Sequence, residues 1–528
     1  MHSSKSLFTL SISALALAAC APSVGQVASL GTAPPAWAFE KSDVPVDPGY
    51  RFGVLPNGMR YVIRSNAVPK GTALVRMQVD AGSLDERDDE RGFAHYVEHM
   101  AFNGSTRVPE GEMVKLLERD GLAFGADTNA STDYQRTTYK LDLPRADPAL
   151  LDTALMLMRE TASELSFTPG AVDRERGVVM SEMRDRGGYQ IKNYEDQIGF
   201  LLPGSQMAQR LPIGTHESLA GATAAGLKGF WAREYVPGHV TLFVVGDFDP
   251  AAAESAILAR FGDWRTAPAE PMAKAGPMTP KAKGLTDVYV DPALSERVSV
   301  SRKGAWLVEP DNIAQRRENL LRQVGYAIVN RRMLRRTREA NAPFRNAGYG
   351  TSDLFKEGRA TELSIDTVDG KWRAGVIAAG QEYRRALVFG FSPEEVAEQV
   401  AIIRTGNRNA ADAEATRSNA QLLGAALALV NNEVVPDTPR HSYERLEKFI
   451  PEITPASVLA ALKREAVPLD QPLIRFQGRV PPADGPAGLR SAWNEAMRAP
   501  IAPPSATAVS SFGYTDFGPA GTVVSDVT

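Results

Sequence analysis

Apolar and polar positions change period several times along the chain. Residues 54–64 (VLPNGMRYVIR) set two strand-like runs on either side of Asn57-Gly58, a dipeptide suited to a hairpin turn. Residues 73–79 and 136–143 predict further strands, and 242–245 a short one that ends at Gly246. Helical spacing appears at 88–100, 113–118, 149–165 and 173–186. Residues 267–284 (APAEPMAKAGPMTPKAKG) lose periodicity and read as a linker. Beyond it the pattern predicts strands at 286–290, 298–300, 362–366 and 384–390, and helices at 312–339, 393–403 and 412–429. Strands and helices alternate in both halves. The expected fold class is α+β, two similar α/β units with sheets flanked by helices, at 45–264 and 285–505 around a linker at 265–284. Residues 506–528 are rich in Gly, Ser, Thr and Val and read as a tail or linker.

Composition narrows the class. A chain of 528 residues is too long for one core, and 43% hydrophobic with 23% charged residues describes a folded protein. Lys plus Arg is 59 against 63 Asp plus Glu, so there is no basic excess of the kind that nucleic-acid binding calls for. One cysteine excludes an internal disulfide framework, and it stands at Cys20. Before it come Lys5, an apolar run at 8–19 too short to span a bilayer, and the small-residue approach Leu17-Ala18-Ala19. This resembles a bacterial lipoprotein signal over 1–19, with acyl chains added at Cys20 and a lipid-anchored tether at 20–44. No Asp follows Cys20, so the resemblance points to the outer membrane, with the protein in the periplasm and touching membrane through its anchor alone.

Chemistry concentrates at His95-Tyr96-Val97-Glu98-His99. On a helix, His95 and His99 face one side and can reach one zinc ion, while Glu98 lies close enough to take a proton from a metal-bound water. The plain alternative is a pair of surface histidines. A catalytic zinc needs a third ligand, and Glu175 and Glu182, two helical turns apart, both qualify by geometry. Their plain alternative is a solvated charged face among Asp173, Arg174, Arg176, Arg184, Asp185 and Arg186. His216, His239 and His441 stand alone and read as structural. The 347–350 stretch lacks the Lys-Ser/Thr of a phosphate loop, and the Arg-rich run at 331–338 reads as a solvated or interface face.

His95 to His99, the following Met100-Ala101-Phe102-Asn103-Gly104-Ser105, Pro109 to Glu112, and the Glu175 to Glu182 segment together resemble the pitrilysin/insulinase family of inverted-zincin peptidases, in its bacterial periplasmic form. The stretches at 129–139, 210–214 and 230–250 add to the likeness, which is strongest over 50–255. The 83 positions from His99 to Glu182 are slightly more than the family's spacing. The resemblance implies a zinc-dependent endopeptidase in which His95, His99 and Glu182 bind Zn2+, Glu98 is the general base and Glu175 orients the site. It implies a peptide substrate paired as an added strand along Asn129, Ala130 and Thr132. It also implies one half of a clamshell, completed by a second half as a separate subunit or a homodimer. The competing reading is a catalytically inactive peptide-binding or scaffold subunit, although all four residues of the zinc motif are present.

Overall fold

The computed structural model describes residues 37–123, 125–279, 281–504 and Gly518. Cys20, the leader and nearly all of the 506–528 segment lie outside the described residues. The described residues from Trp37 to 504 form one compact unit built on two sheets.

The first sheet has six strands: β1 (Tyr50–Val54), β2 (Arg60–Ser65), β3 (Ala73–Val79), β4 (Thr128–Thr132), β5 (Thr137–Leu143) and β6 (Val240–Gly246), in the order β1-β2-β6-β3-β5-β4. The second has five: β7 (Thr286–Val290), β8 (Arg297–Ala305), β9 (Asn346–Leu354), β10 (Gly358–Asp366) and β11 (Leu473–Gly478), in the order β7-β11-β8-β10-β9. Without β1, the two orders are the same: first, fifth, second, fourth, third. The pairing senses agree as well. In each sheet the first strand runs parallel to the last, and every other pair is antiparallel. The two-unit expectation is therefore matched in topology where the sequence carries no plain repeat.

Local chemistry explains the hairpin at the front of the first sheet. Asn57 Nδ2 donates to the carbonyls of Phe261 and Trp264, its Oδ1 accepts from Met59 N, and Gly58 takes φ +93°, a conformation that favours glycine. β6 is buried along its whole length because both faces of the sheet are covered. One face carries Ile63, Val75, Met77, Leu141 and Val244 against helices Phe93–Met100, Pro148–Ser163 and Ala224–Glu234. The other presents Val62, Phe243 and Val245 to Leu422, Leu423, Ala426 and Leu429 of helix Asn419–Asn432. A helix from the later part of the chain thus closes the back of the first sheet. The described part of 265–284 has neither helix nor strand, but it is tied down: Ala273 N donates to Asp85, and Ala275 N and Gly276 N donate to Glu357.

One expectation fails in the later part of the chain and one boundary moves. Residues 384–390 are not a strand but the last turns of helix Trp372–Phe389, whose buried positions Gly375, Ala379, Tyr383 and Ala386 recur at helical spacing. Gly390 at φ +70° ends it. The helix expected at 412–429 begins later and runs over Asn419–Asn432, while the one expected at 393–403 extends to Asp412. Helix Pro393–Asp412 stops, and Ser418 and Gln421 form a capping box that starts Asn419–Asn432.

Candidate metal centre

Helix Phe93–Met100 begins where two backbones touch. Gly92 has φ +91°, and a Cβ there would meet Gly214 Cα at 2.9 Å, while one on Gly214 (φ +75°) would meet Gly92 Cα at 2.6 Å. Side-chain bulk is excluded on both sides, which gives the Gly214 end of the 210–214 stretch a physical role. No residue at the cap position supplies an acceptor, so the buried Glu86 does: its carboxylate takes Gly92 N–H and Ala94 N–H, both at 2.9 Å. Burial pushes the Glu86 carboxyl well above its usual range, against those two N–H bonds and Arg210.

Helix Pro169–Arg186 starts from Thr168, whose hydroxyl accepts from Ala171 N, with Pro169 in the first turn. It packs against the histidine helix and carries both glutamates to it. Three ligand atoms converge. His95 Nε2 and His99 Nε2 are 3.3 Å apart, Glu182 Oε2 is 3.3 Å from His99 Nε2, and 3.7 Å separates it from His95 Nε2. The imidazole planes are 80° apart, so the rings meet edge to face with these nitrogens turned inward. Zinc bound to nitrogen at about 2.0–2.1 Å with tetrahedral geometry sets its ligands about 3.3 Å apart. Two inward imidazole nitrogens and one carboxylate oxygen fit that ion in spacing and in chemistry. Among the described residues no other group of three or more His, Cys, Asp or Glu side chains converges in this way.

Glu175 takes a different place. Its Oε1 lies 2.6 Å from His99 Nδ1, and its Oε2 accepts from Asn103 Nδ2 at 3.0 Å. A proton on Nδ1 is held there, leaving the Nε2 lone pair free for the metal. Burial opposes charge on Glu175, but the His99 and Asn103 hydrogen bonds prevail and lower its pKa. Burial likewise opposes charge on His99, yet Glu175, Glu98 and Glu182 together raise it. His95 differs: burial, helped by the charges of His99 and Arg186, pushes it down to about 3, so the ring is neutral at any ordinary pH. His95 Nδ1 is buried without a hydrogen-bond partner, so nothing holds the far side of that ring as Glu175 holds His99.

Glu98 is 8% exposed and accepts from Thr132 Oγ1 at 2.6 Å. Burial raises its pKa, opposed by the Thr132 hydrogen bond and His99 and reinforced by Glu182. A carboxylate held on the reluctant side of ionisation suits a group that must take up and release a proton. Thr132 pairs with Thr137 across β4 and β5, with hydroxyls 3.3 Å apart, and the Thr137 proton goes to the carbonyl of Ala81. Asn129 and Ala130 stand on β4, which pairs with β5 on one side and forms the edge of the sheet. The Asn129 side chain accepts from Ala130 N–H at 2.9 Å.

The sequence pattern left several contributors without a role. Asn103 lay inside the quoted motif, but only its bonds to Glu175 and the His99 carbonyl show what it does. Glu86 and Arg186 gave no local signal. The lone histidine His239 is structural: its ring nitrogens face the carbonyls of Glu234 and Glu270.

Residues 61–196 match the family model described as Insulinase (Peptidase family M16), and 221–402 match that of the Peptidase M16 inactive domain. The probable zinc protease PqqL of Haemophilus influenzae is 25% identical over 474 residues, which cover 86% of this chain and 49% of that protein. The crystal structure of the first half of the periplasmic protease PqqL from Escherichia coli superposes with a TM-score of 0.79 at 24% identity, covering 87% of this chain and 99% of that one. Against the whole of that protease the TM-score is 0.78, with 92% of this chain and 53% of that chain covered. The chain thus spans about half the length of the full-length relatives it matches.

Proposed function

The chain belongs to the insulinase family of peptidases, M16, and from that premise we propose that it is the zinc-binding half of an endopeptidase that hydrolyses unfolded peptides in the periplasm. The observation that carries the reading is the convergence of His95, His99 and Glu182 on one point, with Glu98 beside it and ionising reluctantly. When bound there, zinc supplies Lewis-acid polarisation of a water and of the scissile carbonyl. The protein's own residues do the rest. Glu175 fixes His99 in the tautomer that binds metal. Glu98 takes one proton from the attacking water and hands it to the leaving amide nitrogen as the C–N bond breaks. The β4 edge offers backbone groups to an extended peptide, so that sequence is read loosely.

A second clamshell half completes the chamber in this proposal. The half-length match to PqqL supports that. The Cys20 context supports a lipid anchor at the outer membrane, and the likeness to a periplasmic protease of E. coli supports the periplasm. The test is turnover of a mixed quenched-fluorescent peptide library by the zinc-loaded chain, with Glu98→Gln beside it and each sample sized by light scattering. Cleavage that falls 10²–10⁴-fold in the variant is expected, of the order that a positioned acid–base group contributes. Equal cleavage by both chains would overturn the role of Glu98. Binding of peptide without cleavage, at concentrations where the chain self-associates, would favour the inactive-partner reading.

A further inference from the structure

Three groups at the centre are each held by a different partner. His99 leans on Glu175, and Glu98 on Thr132. Glu182 has Arg186, which meets its Oε1 while Oε2 faces the two histidines. Among the described residues Arg186 is the one partner of Glu182 outside the two histidines. The two residues are one helical turn apart, with the glutamate N-terminal, the favourable order for such a pair. Arg186 is 62% exposed at its side chain and stands at the last position of its helix, so the pair adds little to folding. Its consequence is orientation. A carboxylate that is 23% exposed has several rotamers and two equivalent oxygens, and a metal needs one oxygen in one place.

We propose that Arg186 is a positioning residue for the metal: by taking Oε1 of Glu182 it presents Oε2 alone to the ion and keeps one coordination position open for water. An unbraced Glu182 is free to bind through both oxygens, which fills the position that a catalytic site must leave open. A guanidinium does this better than a point charge because its fork fixes direction as well as distance. The inference rests on the zinc reading above and deepens it.

The full chain is tested as wild type, Arg186→Ala and Arg184→Ala. Arg184 is an equal charge two residues earlier on the same helix and exposed, and it controls for the general field. Zinc affinity is measured by competition with a chromophoric chelator, and geometry by the visible spectrum of the cobalt(II)-loaded protein. Arg186→Ala is expected to bind zinc about 10–100-fold more weakly, the usual loss when a partner of a ligand is removed. Its cobalt bands are expected to weaken as coordination rises above four. Arg184→Ala is expected to match wild type in both. Wild-type affinity and spectrum in Arg186→Ala would overturn the brace and leave the zinc reading standing, as would an equal loss in Arg184→Ala. A wild-type chain that loads no metal would overturn both together.

Discussion

Glu175 and Glu182 share a helix and a face, and their surroundings give them different work. Glu175 faces the far nitrogen of His99 and is bonded by Asn103, so its charge is used up within the protein. Glu182 turns one oxygen toward the open point between the histidines. Spacing alone left the choice between them open, because seven residues of separation puts both on one side; the family resemblance assigned Glu182, and the tertiary partners show how the two differ. Thr132 is a sharper case. Placed by resemblance along the substrate strand, it turns its hydroxyl to Glu98. If that bond is its role, Thr132→Val should lower kcat several-fold and leave KM nearly unchanged, while Thr132→Ser restores the rate. Steady-state kinetics on one fluorogenic peptide check this. A raised KM with unchanged kcat would assign Thr132 to the substrate instead.

At the scale of elements, the histidine helix depends on a residue outside it. Its first turn is capped by Glu86, six and eight positions before the N–H groups it accepts. Glu86→Ala leaves two buried donors unpaired and should cost about 2 kcal/mol, with faster amide exchange at Gly92 and Ala94. Because burial raises the Glu86 pKa, Glu86→Gln, which resembles the protonated form, should cost less than Glu86→Ala. Thermal unfolding of both variants decides the order, and an unchanged Tm in Glu86→Ala would contradict the capping role. Legibility follows the same logic. β3, with its partial alternation, and the zinc-motif helix, with an unmistakable spacing, were readable from local pattern. The 384–390 run was not, because a short apolar stretch looks alike in a strand and in a buried turn of helix, and the helical set Gly375, Ala379, Tyr383 and Ala386 extends upstream of it. β4, whose burial alternates only partly over five residues, came through resemblance alone. Arg186 and Glu86 matter through contacts that no local pattern encodes.

At the scale of the molecule, the crossing of helix Asn419–Asn432 onto the first sheet ties the part that carries the candidate metal centre to the later part. Asp47 reinforces that tie. It is buried and accepts from Arg417 at 2.8 Å, with Arg64 3.6 Å away, while its backbone N–H donates to Pro436. Burial works against its charge, but the Arg417 hydrogen bond, the Gly49 N–H and Arg64 prevail, and its pKa is lowered. A carboxylate depressed in the folded state stabilises above its unfolded pKa of about 3.9 and loses that contribution as pH falls through the folded value. Asp47→Asn should therefore cost about 2 kcal/mol near pH 7, and the gap to wild type should close as the pH falls below about 4. Urea unfolding across pH checks this, and a gap independent of pH would contradict it.

The metal centre itself is tested most directly by zinc stoichiometry under chelator competition in wild type, Glu98→Gln, Glu175→Gln and Glu182→Ala. One zinc per chain is expected in the first two. Glu175→Gln should still take one zinc, about 10–100-fold more weakly, and Glu182→Ala should bind none at the concentration that saturates wild type. A Glu182→Ala chain that binds one zinc with wild-type affinity would contradict the assignment of His95, His99 and Glu182 as the ligands.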